Sequence, residues 1–295
     1  MVRGADTGQS RGLSPADPLR MRPLPRQARP ARARAGYGLS GNEVDVWLVD
    51  PTGLGEDDLS RCAGLLSPDE RARWEAFAAP GAALQFLVAR ATLRTMLSRY
   101  ADVHPSDWVF GANAHGRPSI LEPVPFRGLR FNLSHTEGLV ALALADGREI
   151  GVDVENTTRD LGFDRLAATV FAETEMAAFR DAAAKGDQRR AFYTLWTLKE
   201  AYSKARGLGL SLPLKAFDVD LSGAHPRLAF GAGCPDDPDR WRLRCLAPTA
   251  EHVLAVAVSV PDGPACVRVA WCEPGGSTTS ARPRLGQGAG DQAGS

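Results

Sequence analysis

The chain has 295 residues, 44% apolar and 24% charged, enough to fold around a core as one or two domains. Its 35 Lys+Arg balance 35 Asp+Glu, which argues against a dedicated nucleic-acid binder. No apolar run approaches the roughly 18 residues of a membrane span, and the N-terminus lacks the apolar centre of a secretory signal, so a cytoplasmic protein is expected.

Residues 1–40 carry eight arginines and five prolines against Asp6 and Asp17. They show no apolar periodicity, so a disordered arm is expected there, with Met21 inside it as an alternative start. The first strand is expected over Val44–Val49, where β-rich residues alternate. Ser67-Pro68-Asp69-Glu70 signals a helix start: an N-cap serine, proline in the first turn, then acids. Trp74 and Phe77 should mark its apolar face, and Pro80-Gly81 should break it. A second helix is expected from about Ala82 to Tyr100, with Leu84, Leu87, Val88 and Ala91 in its stripe.

Gly116-Arg117-Pro118 reads as a loop and Phe131–His135 as a short β segment. Leu139–Ala145 and Glu149–Glu155 flank Asp146-Gly147, which predicts a hairpin. Helices are expected over Phe163–Val170, Ala172–Ala184 and about Gln188–Ala205, stopped by Gly207-Leu208-Gly209. Strands should follow at Phe217–Leu221, Trp241–Leu246, Val253–Val260 and Cys266–Trp271. The fold class is therefore α+β, in two halves of similar build, 41–148 and 149–272. Residues 273–295 read as a flexible Gly-rich tail. The five cysteines are odd in number and form no CxxC, so neither a disulfide framework nor a Cys-rich zinc site is indicated.

Three clusters carry chemistry. Asp153 and Glu155 are i and i+2 on a strand and share one face. Two carboxylates so close repel unless a cation lies between them, and Mg²⁺ is the natural guest. Taken alone, the pair is more simply the polar end of a strand entering solvent. Glu200 and Lys204 are i and i+4 on the longest helix, where an ordinary surface ion pair is the usual explanation. The apolar neighbours Phe192, Tyr193, Leu195 and Trp196 make plain solvent surface less suitable there. Only four of the 35 basic residues are lysines, and Lys199 and Lys204 are two of them. Ser134-His135 precedes a small polar turn that suits a phosphate group. No Gly-x-Ser-x-Gly elbow, Walker loop, Rossmann fingerprint or HExxH occurs.

Together the pieces are far more specific. Phe131-Asn132-Leu133-Ser134-His135, Gly151-Val152-Asp153-Val154-Glu155 and Trp196-x-x-Lys199-Glu200-Ala201-x-x-Lys204 resemble the motif series of the Sfp-type 4′-phosphopantetheinyl transferases. Gly116-Arg117-Pro118 and Gly207–Leu214 also look like that family. The resemblance covers roughly residues 44–272. It implies two pseudo-symmetric α+β halves with the active site, and coenzyme A, in the cleft between them. It implies transfer of the 4′-phosphopantetheine group of coenzyme A to a serine of an apo carrier protein (acyl, polyketide or peptidyl), with adenosine 3′,5′-bisphosphate leaving.

By the same resemblance Asp153, Glu155 and Glu200 are the Mg²⁺ ligands. Lys204 is the lysine at the phosphates, and Ser134 and His135 lie near the adenosine 3′-phosphate. Arg117 and Lys199 are further phosphate contacts, and Arg73 is another coenzyme contact. Glu200 and Lys204 are the expected catalytic pair, Glu200 as the base. Two positions depart from the family: Gln85 stands where an arginine is common, and Glu70 where some members carry lysine. Arg90 or Arg94 is the nearest replacement charge. A monomer is expected, because one chain supplies both halves. The competing classes are a Mg²⁺-dependent phosphohydrolase, with water as nucleophile, and a binding module without turnover.

Overall fold

The computed structural model describes residue 39 and residues 41–260 and 265–274. The arm expected over 1–40 and the tail expected over 273–295 lie almost wholly outside the described residues. Strand β1 (Glu43–Val49) is followed by helices α1 (Glu56–Gly64), α2 (Pro68–Glu75) and α3 (Pro80–Leu97). Strands β2 (Val109–Ala112), β3 (Pro118–Glu122), β4 (Leu129–Thr136), β5 (Leu139–Asp146) and β6 (Ile150–Asn156) come next. Then come α4 (Phe163–Val170), α5 (Glu173–Ala184) and α6 (Gln188–Arg206). Strands β7 (Phe217–Asp220), β8 (Arg227–Phe230), β9 (Trp241–Leu246), β10 (His252–Ser259) and β11 (Cys266–Trp271) complete the described chain. The class is α+β, as expected.

Local chemistry explains the element ends. Ser67 and Glu70 form a reciprocal capping box at the start of α2. Pro80 does more than end the preceding helix: it occupies the first turn of α3, where its missing N–H costs nothing. Gly207, at φ +65°, turns the chain out of α6. Helix α1 is an addition to the expected elements: Glu56, Asp57 and Asp58 open it and Arg61 closes it.

Pairing corrects two expectations. The sheets run β11–β1–β5–β4 and β6–β10–β9, so β5 and β6 do not pair and Asp146-Gly147 closes no hairpin. That turn carries the chain from one sheet to the other. The hairpin is β4–β5, turning at Glu137-Gly138 with Thr136 opposite Leu139 and Gly138 at φ +81°. Strand β11, expected with the second half, lies parallel to β1 in the first sheet. Arg268 fixes it there by ion pairs to Glu43 and Asp45.

Alternation then builds layers. Val46, Leu48, Ala141 and Ala143 meet Val152, Val154, Val256 and Val258 in one buried core, so the two sheets pack face to face. The opposite faces take helices. Trp47, Leu142 and Leu144 pack with Leu93 and Leu97 of α3. Leu243, Ala255 and Ala257 pack in the core of Phe192, Leu195 and Leu198 of α6.

One ion-pair cluster locks α2 to α3. Glu70 binds Arg90 and, at 2.8 Å, Arg94, whose Nη1 also donates to the carbonyls of Pro105 and Trp108. Burial pushes the Glu70 carboxyl up, but Arg90, Arg94 and the Ser67 amide outweigh it and leave the group below the usual carboxylate range. A depressed folded-state value means stability that is present above about pH 4.3 and lost as pH falls through the lower value. Acid unfolding of Glu70→Gln, followed by circular dichroism, should therefore lack part of the parent's pH slope in that window. An unchanged slope would remove Glu70 from the acid transition.

Candidate active site

Of the expected site residues, Ser134 and His135 lie on β4, Asp153 and Glu155 on β6, and Glu200 and Lys204 on α6, where the three elements meet. Gly151, Asp153 and Glu155 alternate on β6 and turn toward α6, while Val152 and Val154 enter the inter-sheet core. Gly151 makes the approach possible. A Cβ there would stand 2.0 Å from the carbonyl oxygen of Ala201 and 2.5 Å from the amide nitrogen of Ala205. With only hydrogen at that point, the helix backbone rests on the strand.

Helical spacing then puts Trp196, Glu200 and Lys204 in one stripe. Lys204 Nζ lies 2.5 Å from Asp153 Oδ1 and 3.0 Å from Ser134 Oγ. Ser134 Oγ donates to the same Asp153 oxygen at 2.9 Å. Trp196 Nε1 donates to Glu155 Oε1 at 3.1 Å. Three expected site residues, Ser134, Asp153 and Lys204, are thus in direct contact, and Trp196 is a contact that the sequence reading did not assign.

The other oxygen of Asp153, Oδ2, is buried and has no hydrogen-bond partner. A buried carboxylate oxygen left bare is costly unless a cation completes it. Burial first, then the Asp153 charge, raises the carboxyls of both Glu155 and Glu200 above their ordinary values. Glu155 and Glu200 therefore each sense the Asp153 charge. Among the described residues, no three acidic, histidine or cysteine side chains close into a ready-made metal cage. The bare Asp153 oxygen is the atom here that a cation such as Mg²⁺, a taker of hard oxygen ligands, could complete.

His135 points to the other side of β4, where its Nδ1 lies 3.1 Å from Gln85 Oε1 on α3. Desolvation of the ring and then the Lys204 charge lower its pKa, so the imidazole is held neutral near pH 7. Gln85 thus takes up a place beside an expected coenzyme contact without adding charge. Arg117 reaches the end of α6, donating to the Ala205 carbonyl at 2.8 Å, and lines a cavity of about 190 Å³ with Asn113, Ser119, Arg130 and Phe131. Arg73 lies at the surface with its guanidinium over the Phe86 ring.

Lys199 does not join them. It is fully buried, and its ammonium donates to both oxygens of Glu175 at 2.6 and 2.7 Å and to the Phe217 carbonyl at 2.7 Å. With three donors and three partners, it has none left for a phosphate. Expected as a coenzyme contact, it is placed here as an internal tie between α5, α6 and β7. Arg90 and Arg94 are likewise held by Glu70 and stacked on Phe110, so neither replaces the arginine absent at Gln85.

Known proteins resemble this chain. A model of the 4′-phosphopantetheinyl transferase superfamily matches residues 149–257, the stretch from β6 through most of β10. The 4′-phosphopantetheinyl transferase HetI of Nostoc sp. is 32% identical over 221 residues, covering 75% of this chain and 90% of the relative. The 4′-phosphopantetheinyl transferase Sfp of Bacillus subtilis is 29% identical over 211 residues, 72% of this chain and 90% of its own. A phosphopantetheinyl transferase of Thraustochytrium sp. is 30% identical over 245 residues, 77% of this chain and 83% of its own. On the extent of the match to HetI, and on the family model's match across the strand and helix that build the site, the chain belongs to the 4′-phosphopantetheinyl transferase superfamily.

Proposed function

We propose that this chain moves the 4′-phosphopantetheine group of coenzyme A onto a serine hydroxyl of an apo carrier protein, with Mg²⁺ as its metal, releasing adenosine 3′,5′-bisphosphate. Family membership makes it a transferase that acts on carrier proteins with coenzyme A. The observation that carries the finer reading is the Ser134–Asp153–Lys204 cluster with the bare Asp153 oxygen at its centre.

Asp153, with Glu155 and Glu200, would hold Mg²⁺. When bound, the ion supplies charge neutralisation at the phosphoryl oxygens. The rest falls to the chain's own groups. The serine oxygen forms a bond to the phosphorus nearest the pantetheine as the phosphoanhydride P–O bond breaks. Such a transfer asks chiefly for in-line positioning and stabilisation of charge. Lys204, about 29% exposed at its side chain, is close enough to the surface to face the leaving phosphate and far enough in to act through a lowered dielectric.

Glu200 accepts the serine proton. It stands one helical turn from Lys204 on the same face of α6, beside the phosphates that this lysine would meet. Ser134, His135, Arg117 and Arg73 belong to the coenzyme side of the site. The two sheet-and-helix halves are read as pseudo-symmetric, with the coenzyme at the seam where β4 meets β6. A cytoplasmic monomer completes the proposal; no described helix is long and apolar enough to cross a membrane.

Intact mass spectrometry of an apo carrier incubated with this protein, coenzyme A and Mg²⁺ tests the reading. One added phosphopantetheine is expected, and none with EDTA. Glu200→Gln should turn over about 10²–10⁴-fold more slowly, the usual worth of a positioned base. Near-parent turnover in that variant would remove Glu200 as the base. No transfer to acyl, polyketide or peptidyl carriers, with coenzyme A still bound, would favour a binding module.

A further inference from the structure

Strands β4 and β6 are both edge strands of their sheets, and each would ordinarily expose unpaired backbone groups. They do not form a ladder with one another. Instead, alternate side chains of β4 capture alternate amides of β6. Asn132 Oδ1 accepts from the Val152 N–H at 2.8 Å. Ser134 Oγ accepts from Val154 N–H at 3.3 Å, and Thr136 Oγ1 from Asn156 N–H at 3.2 Å. All three of these accepting residues on β4 are buried. The period of two on both strands makes the match repeat, and Asn156 Nδ2 adds a bond to the Glu137 carbonyl at 3.2 Å.

The clamped amides bracket the acids. Asp153 lies between Val152 and Val154, and Glu155 between Val154 and Asn156. We infer that Asn132 and Thr136 are positioning residues, which set the register and direction of Asp153 and Glu155 from the opposite half of the molecule. The inference rests on the proposed roles of those two carboxylates. Ser134 is different, since it also touches Asp153 itself. Asn132 and Thr136 touch no expected reacting group and act only through the β6 backbone. Three short side chains on three amides fix β6 at three separate points. Partners of this outer kind are commonly worth about 10–100-fold in activity or metal affinity.

The test uses the full chain with Thr136→Val, which keeps the shape and loses the oxygen, and Thr136→Ser, which keeps the oxygen. Asn132→Ala and Asn132→Asp form a second such pair. Amide exchange of Val152, Val154 and Asn156 is read by NMR on the protein without coenzyme, alongside kcat, the coenzyme A KM and Tm. Thr136→Val should speed exchange at Asn156 and lower kcat about 10-fold with KM for coenzyme A nearly unchanged. Thr136→Ser should restore both. Faster exchange with parent kcat would overturn the inference, as the bond would then only close an edge. Exchange unchanged in Thr136→Val would overturn it as well, since the bond would not be protecting that amide. Asp153→Asn separates the two levels: if it too keeps parent kcat, the assignment of the carboxylates has failed, and the positioning role with it. If only the Thr136 and Asn132 variants keep parent kcat, the carboxylates stand and the positioning role alone is lost.

Discussion

Gly151→Ala should destabilise the protein by roughly 3 kcal/mol, at the upper end of overpacking by one methyl group, and should remove transferase activity from the molecules that remain folded. The added carbon would fall 2.0 Å from the Ala201 carbonyl oxygen and 2.5 Å from the Ala205 nitrogen, both backbone atoms of α6. No side chain can rotate away to relieve this contact. The helix has to retreat as a unit, and it carries Trp196, Glu200 and Lys204 with it. The 2.5 Å contact of Lys204 with Asp153 and the 3.1 Å bond of Trp196 to Glu155 both lengthen when it does. Gly147→Ala is the informative control. Gly147 has φ +64° but no atom within 4 Å of a new Cβ, so only backbone strain of about 1–2 kcal/mol is added. Urea unfolding midpoints measure both. Equal, mild effects would show that α6 does not rest on β6 at Gly151.

The contrast between those glycines also shows what the sequence carries and what it does not. Motif spacing was legible because it is local. Asp153 and Glu155 share a strand face, and Trp196, Glu200 and Lys204 share a helix stripe, whatever lies opposite. The α+β class was legible for the same reason, because each element announces its own period. Partners were not. Leu139–Ala145 is apolar throughout, Glu149–Glu155 alternates, and the two flank a favourable turn, yet the first pairs with β4 and the distant β1 and the second with the distant β10, which buries an apolar face of each sheet between the two. Strand β11 gives no local hint that it will return to β1. The Asn132, Ser134 and Thr136 clamp was written in plain view as alternate small polar residues. Its meaning depends on β6 lying alongside, 20 residues later. Arg90 and Arg94 looked like spare charge because their partner, Glu70, is on another helix.

The two lysines of the long helix carry the same lesson into a measurement. Lys199→Met should destabilise the protein by about 3–5 kcal/mol, the cost of breaking a buried pair and leaving one charge uncompensated. Glu175 would retain only the amides of Ala172 and Val219 as partners. Burial already raises its carboxyl with Lys199 in place, and burial likewise lowers the Lys199 ammonium. The double variant Lys199→Met with Glu175→Gln should therefore recover part of the loss, because no lone charge remains inside. Lys204→Met should do the reverse. Lys204 is partly exposed, so water can take its place beside Asp153 and less stability is at stake than at Lys199, while turnover should collapse. Chemical unfolding and steady-state kinetics on the parent and these three variants decide the matter. If Lys199 met a phosphate, the double variant would stay impaired in its coenzyme A KM even with stability regained. A KM restored to the parent's value would place Lys199 wholly in the core, five residues from a lysine whose work is at the surface of the same helix.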